Sequence, residues 1–272
     1  MSLDTVLTPP SPNLPAPDRS VLFRRLVFAA IGLAIVVPVV LLMRWDWLPD
    51  YLELFAQGIW TSIWLTLVSA GVGLMLAIPI GLVQVTGPAP LALVAKGFCT
   101  VIRGTPLLLQ MWLLYYGLGS LFPEIPWIRE SFAWEILRQA WPYALLSLTL
   151  SYAGYEGEVM RGAFASVPRG ELEAGRAFGM SPFTLLRRIW LPRALFQALP
   201  TLAGETVLQL KSTPLVATIT VIDVYAVASR IRQDTYVVYE PLLLIAVLYM
   251  IMTLILVRAF AWLEARVPVK RG

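Results

Sequence analysis

The sequence predicts an all-α integral membrane protein, and three observations predict it. Hydrophobic residues make up 58% of the 272 positions and charged residues only 14%, against roughly 25% charged in an average soluble domain. Mean hydropathy is +0.73. Uncharged runs recur over residues 26–43, 54–95, 139–155 and 241–257, at lengths near or above the ~20 residues that a spanning helix needs. The same inventory excludes several chemistries. The single cysteine, Cys99, allows no internal disulfide, and the absence of histidine removes His-containing zinc sites and Ser/His or Cys/His catalysis. The net charge of +4 belongs to topology and not to nucleic acid, because the basic residues are spread along the chain.

Taken in order, residues 1–20 are polar and proline-rich, without the basic-then-apolar order of a signal peptide, and read as a disordered cytoplasmic tail. Residues 26–43 form a first span, preceded by Arg19, Arg24 and Arg25. Trp45, Trp47 and Tyr51 follow it among Asp46, Asp50 and Glu53 as an interfacial belt. The uncharged run over 54–95 is too long for one span, and Gly87-Pro88-Ala89-Pro90 breaks it. One helix is expected over 58–85. A second is expected to begin near Leu91, contain Arg103-Gly104-Thr105-Pro106 and continue through Gly117. Residues 119–138 read as an external loop with a short surface helix. The run over 139–155 is a span extended by Glu156, Glu158 and Arg161, the run over 194–210 is interrupted only by Glu205, and the last span covers 241–257. Six spans result. With residues 170–192 on the cytoplasmic side, 15 basic residues lie inside against six outside (Arg44, Arg129, Arg138, Lys211, Arg230 and Arg232), so both termini are expected in the cytoplasm.

The segment over 170–192 cannot sit in lipid, since it and its flanks carry Arg169, Glu171, Glu173, Arg176, Arg187, Arg188 and Arg193. Ser166 is expected to cap a short helix with Pro168 in its first turn, and Glu171 and Glu173 favour the positive end of that helix. Gly179 suits a left-handed closing residue. Ser181-Pro182 opens a second helix, and Leu191-Pro192 marks re-entry into the membrane. The expected product is a helix–glycine–helix elbow on the cytoplasmic face. The bland alternative is a connecting loop with solvated charges.

The spacing Glu173-Ala174-Gly175, three residues, Gly179, nine residues, Ile189, one residue, Leu191-Pro192 resembles the EAA loop of ABC-importer permeases, Glu-Ala-Ala-x3-Gly-x9-Ile-x-Leu-Pro. Gly175 departs from the usual alanine, at roughly 1 kcal/mol of helix propensity, while keeping a small side chain. Arg103-Gly104-Thr105-Pro106-Leu107, with Gln110 and Tyr115-Tyr116-Gly117, is similar to the Arg-Gly-Thr-Pro segment of the polar amino-acid branch. The stretch over 155–163 resembles that branch's Ala-Tyr-x-Ala-Glu-x-x-Arg-Gly-Ala, with Gly154 and Gly157 in place of the early alanines. Leu210-Lys211-Ser212-Thr213 and Asp234-Thr235-Tyr236 are similar to the histidine, lysine/arginine/ornithine and opine permeases.

The resemblance implies a MetI-like core of five transmembrane helices over residues 58–265, containing the EAA loop over 166–192. An extra N-terminal transmembrane helix with an external interfacial segment, expected over 21–57, has no counterpart in that core, and a basic tail covers 266–272. It implies that Glu173, Ala174, Gly175, Gly179, Ile189, Leu191 and Pro192 couple the chain to a cytosolic ABC ATPase dimer. ATP and magnesium would be bound by that partner and no cofactor by this chain; no G-x-x-x-x-G-K-[ST] phosphate loop occurs in the sequence. The other implied partners are a second permease subunit (a paralogue or a second copy), a periplasmic or external substrate-binding protein and membrane lipid, with no nucleic acid. The location is the bacterial inner membrane and the cargo a polar, cationic amino acid or an opine. Glu205, mid-span, is a functional candidate by default, with Gln209, Lys211, Thr213 and Thr105 as further pathway candidates; the alternative for Glu205 is a bond to Gln209 one turn on. Glu156 and Glu158 are two apart and cannot share one pathway face. They read as structural, Glu158 paired with Arg161. Competing readings are the same architecture for another small polar solute, or a secondary transporter, for which the expected inverted repeat is not visible.

Overall fold

The structure, a computed structural model, describes residues 41–266 together with Phe23, Val27, Ala30 and Val37. The expected tail over 1–20, nearly all of the expected span over 26–43 and the basic tail after Arg266 lie outside the described residues. The chain divides into two units, Met1–Trp45 and Asp46–Gly272. In the first, the described positions 23, 27, 30, 37, 41 and 42 are helical. In the second, helices dominate and no strand is present among the described residues.

Helix α1 runs from Leu48 to Thr86, starting well before the expected residue 58. Pro49 in its first turn is pre-set for helix, and Asp50 lies at the positive end of the helix dipole. Trp47 is buried against Phe55 and Tyr51, with ring centroids 6.3 and 6.4 Å away, so this tryptophan packs onto the first turns of α1. Gly87 and Pro88 are extended, and α2 follows at Ala89–Gly104.

The expected continuous helix through Arg103-Gly104-Thr105-Pro106 is broken. Thr105 lies at φ −112°, ψ 139°, because the ring of a following proline disfavours helical backbone in the residue before it. The chain resumes as α3, Leu107–Trp112, with a π turn over Leu113–Leu118, and the two arms are bent by 103°. The connection to the next long helix carries two short helices, Pro126–Arg129 and Trp134–Leu137.

Helix α4, Trp141–Ser166, is the centre of the unit. Its closest neighbour is α1, and Gly81 shows how close. A Cβ there would lie 2.7 Å from the backbone nitrogen of Arg161 and from Cβ of Met160, so only glycine lets the two backbones meet, as small residues do between membrane helices. After the elbow described below come α7, Leu191–Ser212, a 3-10 segment over Thr213–Ile219, α8, Val224–Thr235, and α9, Tyr239–Ala265. Among the described residues two helices, α1 and α9, are by themselves long and apolar enough to cross a membrane. Two bent pairs, Ala89–Gly104 with Leu107–Glu124 and Pro182–Ile219 with Val224–Thr235, raise the number to four if each is one span. Length and apolarity therefore do not by themselves reproduce the six spans read from sequence. Helix α4 is long but carries Glu156, Glu158 and Arg161, and its neighbours cover most of it.

Polar groups stitch the interior. Gln209 of α7 donates to Ser69 Oγ on α1 at 2.9 Å and to the Leu148 carbonyl on α4 at 2.8 Å. Tyr152 and Thr206 share a buried hydroxyl–hydroxyl bond of 2.9 Å. Hydrophobic packing gathers at two ends. One cluster holds Leu65, Met111, Tyr143, Leu148, Val216 and Ile219. The other joins Ala77, Met160, Phe164 and Leu202 of the long helices to Leu172 and Leu185 of the elbow.

Candidate functional site

The elbow consists of α5, Arg169–Ala177, the turn over 178–181, and α6, Pro182–Leu185. Leu172 and Gly175 point inward, and Glu173, Ala174, Arg176 and Ala177 are exposed, as the helical period requires of an amphipathic element. Ser166 does not cap α5. It is the last residue of α4, its hydroxyl bonds to the Ala163 carbonyl at 2.8 Å and to Oε1 of Gln197, and the N-cap position of α5 is Pro168. A serine still in helical backbone hydrogen-bonds back to its own preceding turn and leaves the next helix uncapped.

The closing turn depends on Gly179, which has φ +73°. Its N–H donates to the Arg176 carbonyl at 2.9 Å, and Met180 N–H donates to the Gly175 carbonyl at 3.1 Å, satisfying the carbonyls that a helix end leaves open. Ser181 caps α6 by accepting from Thr184 N–H at 3.3 Å. From Pro182 the backbone stays helical through a π turn at Leu186–Trp190 into α7. Leu191-Pro192 is thus inside a continuous helix, not at the start of a separate one. The π turn ends two residues before Pro192, which cannot donate to the preceding turn.

Gly175 and Gly179 do different things. A Cβ on Gly175 would lie 2.5 Å from Leu185 Cδ1 and 3.1 Å from Ile189 Cδ1, whereas one on Gly179 would meet nothing within 4 Å. Gly175 is small so that the two arms of the elbow can touch each other, and Gly179 is glycine for its backbone angle. Gly179→Ala is expected to cost about 1 kcal/mol or more, the penalty of a left-handed backbone with a Cβ. Gly175→Ala is expected to change stability less, because the flexible end of Leu185 can move and alanine gains up to about 1 kcal/mol of helix propensity. Thermal unfolding of the two purified variants in detergent checks this, and a larger loss for Gly175→Ala would count against it.

Ala174, Gly175, Ile189 and Pro192 come together around a groove of about 730 Å³, bounded by Glu171 and Arg193, which pair at 2.9 Å. Trp190 donates from Nε1 to the Phe164 carbonyl at 2.9 Å and stands edge-on to the Phe164 ring, centroids 5.6 Å apart, so the elbow is tied to the end of α4. Phe178 and Phe183 flank the turn and are 86% and 71% exposed. Neither stands out in the sequence beyond being a large aromatic beside the glycine or proline of a charged segment.

The pathway candidates separate. Thr105 and Gln110 close the helix break: Thr105 donates to the Val101 carbonyl at 2.9 Å, and Gln110 Nε2 reaches the Ile102 carbonyl, the Thr105 carbonyl and Thr105 Oγ1 at 2.8, 3.0 and 2.8 Å. Gln209 is buried and spent on α1 and α4, so it does not serve Glu205 as the one-turn bond would require. Thr213 is buried and bonds to Tyr249 OH at 3.1 Å, which donates to Asp223 Oδ2 at 3.0 Å. Lys211 is exposed, on the face of α7 that also exposes Thr201, Gly204 and Leu208, and half-buried Glu205 sits at the edge of that face. Glu205 makes no hydrogen bond among the described residues.

Glu158 and Arg161 pair at 2.9 Å. Glu156 does not share that pairing. It is fully buried, and neither carboxylate oxygen has a hydrogen-bond partner among the described residues. The Arg103 guanidinium lies 5.6 Å from the Tyr155 ring centroid, which places a cation beside this stretch of α4.

Residues 69–269 match the family described as "Binding-protein-dependent transport system inner membrane component". The chain is 38% identical over 208 residues to the octopine transport system permease protein OccM of Rhizobium radiobacter, covering 76% of this chain and 83% of that one. It is 36% identical over 209 residues to the histidine/lysine/arginine/ornithine transport system permease protein HisM of Escherichia coli (strain K12), covering 77% and 87%. Among solved structures it is similar to an amino acid ABC transporter crystallised with histidines, at TM-score 0.69 and 28% identity over 83% of this chain and 99% of that one. The fold is shared as well with the inward-facing MetNI methionine ABC transporter, at TM-score 0.59 and 18% identity over 80% of this chain and 95% of that one.

Proposed function

The chain belongs to the family of binding-protein-dependent transport system inner membrane components, and we propose that it translocates cationic amino acids or opines, driven by ATP hydrolysis in a separate subunit. The observation that carries the proposal is the construction of the elbow. Leu172 and Leu185 belong to the same hydrophobic cluster as Phe164 and Leu202 of the long helices, while Glu173, Ala174, Phe178 and Phe183 face outward. A push or pull on the exposed face is delivered to α4 and α7 as rigid-body movement, because packed interfaces shift between discrete arrangements instead of deforming. The proposed partner on that face is a cytosolic ATPase dimer that holds ATP and magnesium. A second permease subunit stands beside the chain, and an external binding protein supplies cargo from the other side. In this reading both termini are cytoplasmic, and residues 58–265, now with the first turns of α1 from Leu48, form the permease core.

For the cargo, the supporting observations are carboxylates in excess of cations within the helical bundle. Among the described residues Glu205 is half-buried without a hydrogen bond and Glu156 is buried without one, and Arg103 is a neighbouring cation whose charge reaches Glu205. A carboxylate held away from water takes a proton or a counter-charge, and a cationic substrate brings a counter-charge to half-buried Glu205. Relatives named for octopine and for histidine, lysine, arginine and ornithine transport favour the same class. Thr105 and Lys211, at the exposed break and on the exposed face of α7, complete the proposed route. Thr213 and Gln209 act in it by holding α7 in register.

The test is uptake by proteoliposomes carrying the chain with its co-purified ATPase and permease partner. With binding protein outside and ATP inside, arginine, histidine or octopine is expected to accumulate, and glutamine not. Accumulation without ATP would instead establish a secondary transporter, and accumulation of another polar solute alone would move the substrate class.

A further inference from the structure

We propose that the chain carries a binding site for one anionic phospholipid, in a groove between α1, α7 and α9 at the level of the leaflet next to the elbow. The groove has a volume of about 540 Å³. Leu67 and Leu74 of α1, Leu199 and Leu202 of α7 and Phe260 and Leu263 of α9 contribute apolar walls. Among the described lining residues the hydroxyls are those of Tyr152 and Thr206, which are bonded to each other, so apart from Arg266 at one end no polar side chain there is left to recognise a polar solute. An acyl chain suits such a wall.

Two further observations fix the kind of lipid and its direction. On α7 the groove runs from Leu195 to Thr206, eleven steps of about 1.5 Å, or roughly 16 Å. That is close to half of a hydrocarbon core of ~30 Å, the depth of a single leaflet. The end of the groove at α7's first turns, beside the elbow, is marked by Arg266. Its guanidinium lies 3.7 Å above the Trp262 ring, is exposed and makes no ion pair among the described residues. An arginine held on an indole at the end of an apolar groove presents its donors to a phosphate at headgroup level. Phe196 lines both this groove and the one at the elbow, so a bound lipid would stand against the arm that moves in coupling.

The test uses the full chain purified with its partner subunits and native mass spectrometry after adding phosphatidylglycerol or phosphatidylcholine at equal concentration. Retention of phosphatidylglycerol is expected to be about fivefold stronger, the effect of one arginine at an anionic surface. Arg266→Gln should bring the two lipids level, Arg266→Lys should restore the preference, and Leu199→Trp should lower retention of both by filling the wall. An unchanged preference in Arg266→Gln overturns the site, as does unchanged retention in Leu199→Trp. A photoreactive side chain in place of Leu199 identifies the occupant directly. An adduct with lipid is expected, whereas an adduct with peptide from residues 26–43 or from a second copy would show that protein fills the groove.

Discussion

Glu173→Arg is expected to leave the chain folded in the membrane and to reduce substrate-stimulated ATP hydrolysis by about tenfold or more, the loss of a charge-assisted contact worth roughly 1.5–3 kcal/mol. Glu173 is exposed on α5 and makes no ion pair or hydrogen bond among the described residues, so nothing in this chain's own packing depends on it. The change does place a third arginine within a turn of Arg169 and Arg176, and like charges at that spacing cost only about 0.2–0.5 kcal/mol each. The expected loss therefore reports the partner and not the fold. Co-purification of the ATPase, with ATP hydrolysis in proteoliposomes, reads it. Full coupling in a folded variant would remove Glu173 from the interface and leave Phe178 and Phe183 as the exposed anchors to test.

The elbow shows which features a sequence carries openly and which it does not. The left-handed angle at Gly179 and the cap at Ser181 were legible, because each is set by a residue type and its immediate neighbours. Ser166 was misplaced for the same local reason. Serine caps a helix only when its own backbone is extended, and here α4 runs on through it. At Thr105-Pro106 the proline could kink a helix or end it. The 103° bend came with Gln110 folding back on three acceptors, a contact that residue order alone does not display. Gln209 is the clearest case. Its spacing from Glu205 offered a bond one turn away, but its true partners, Ser69 and Leu148, lie on two other helices. Glycines divide in the same way: the backbone role of Gly179 was visible, whereas the inward direction of Gly175 depends on Leu185 and Ile189 arriving from across the turn.

Glu205→Gln is expected to lower uptake of arginine or ornithine by about tenfold or more, again the span of a charge-assisted hydrogen bond, and to leave uptake of a neutral solute carried by the same complex little changed. The substitution keeps size and hydrogen-bonding atoms and removes only charge. It also touches no packing bond, since Glu205 makes none among the described residues, and Gln209, one turn on, is held by α1 and α4. Glu156→Gln supplies the contrast. That carboxyl is fully buried and without a hydrogen-bond partner among the described residues, so replacing it is expected to alter stability at least as much as selectivity, while Glu205 at the edge of the exposed face of α7 should alter selectivity alone. The two are separated by measuring thermal unfolding beside uptake in both variants. Equal losses for cationic and neutral solutes in Glu205→Gln would take the residue out of substrate recognition. The cationic preference would then have to reside in the external binding protein.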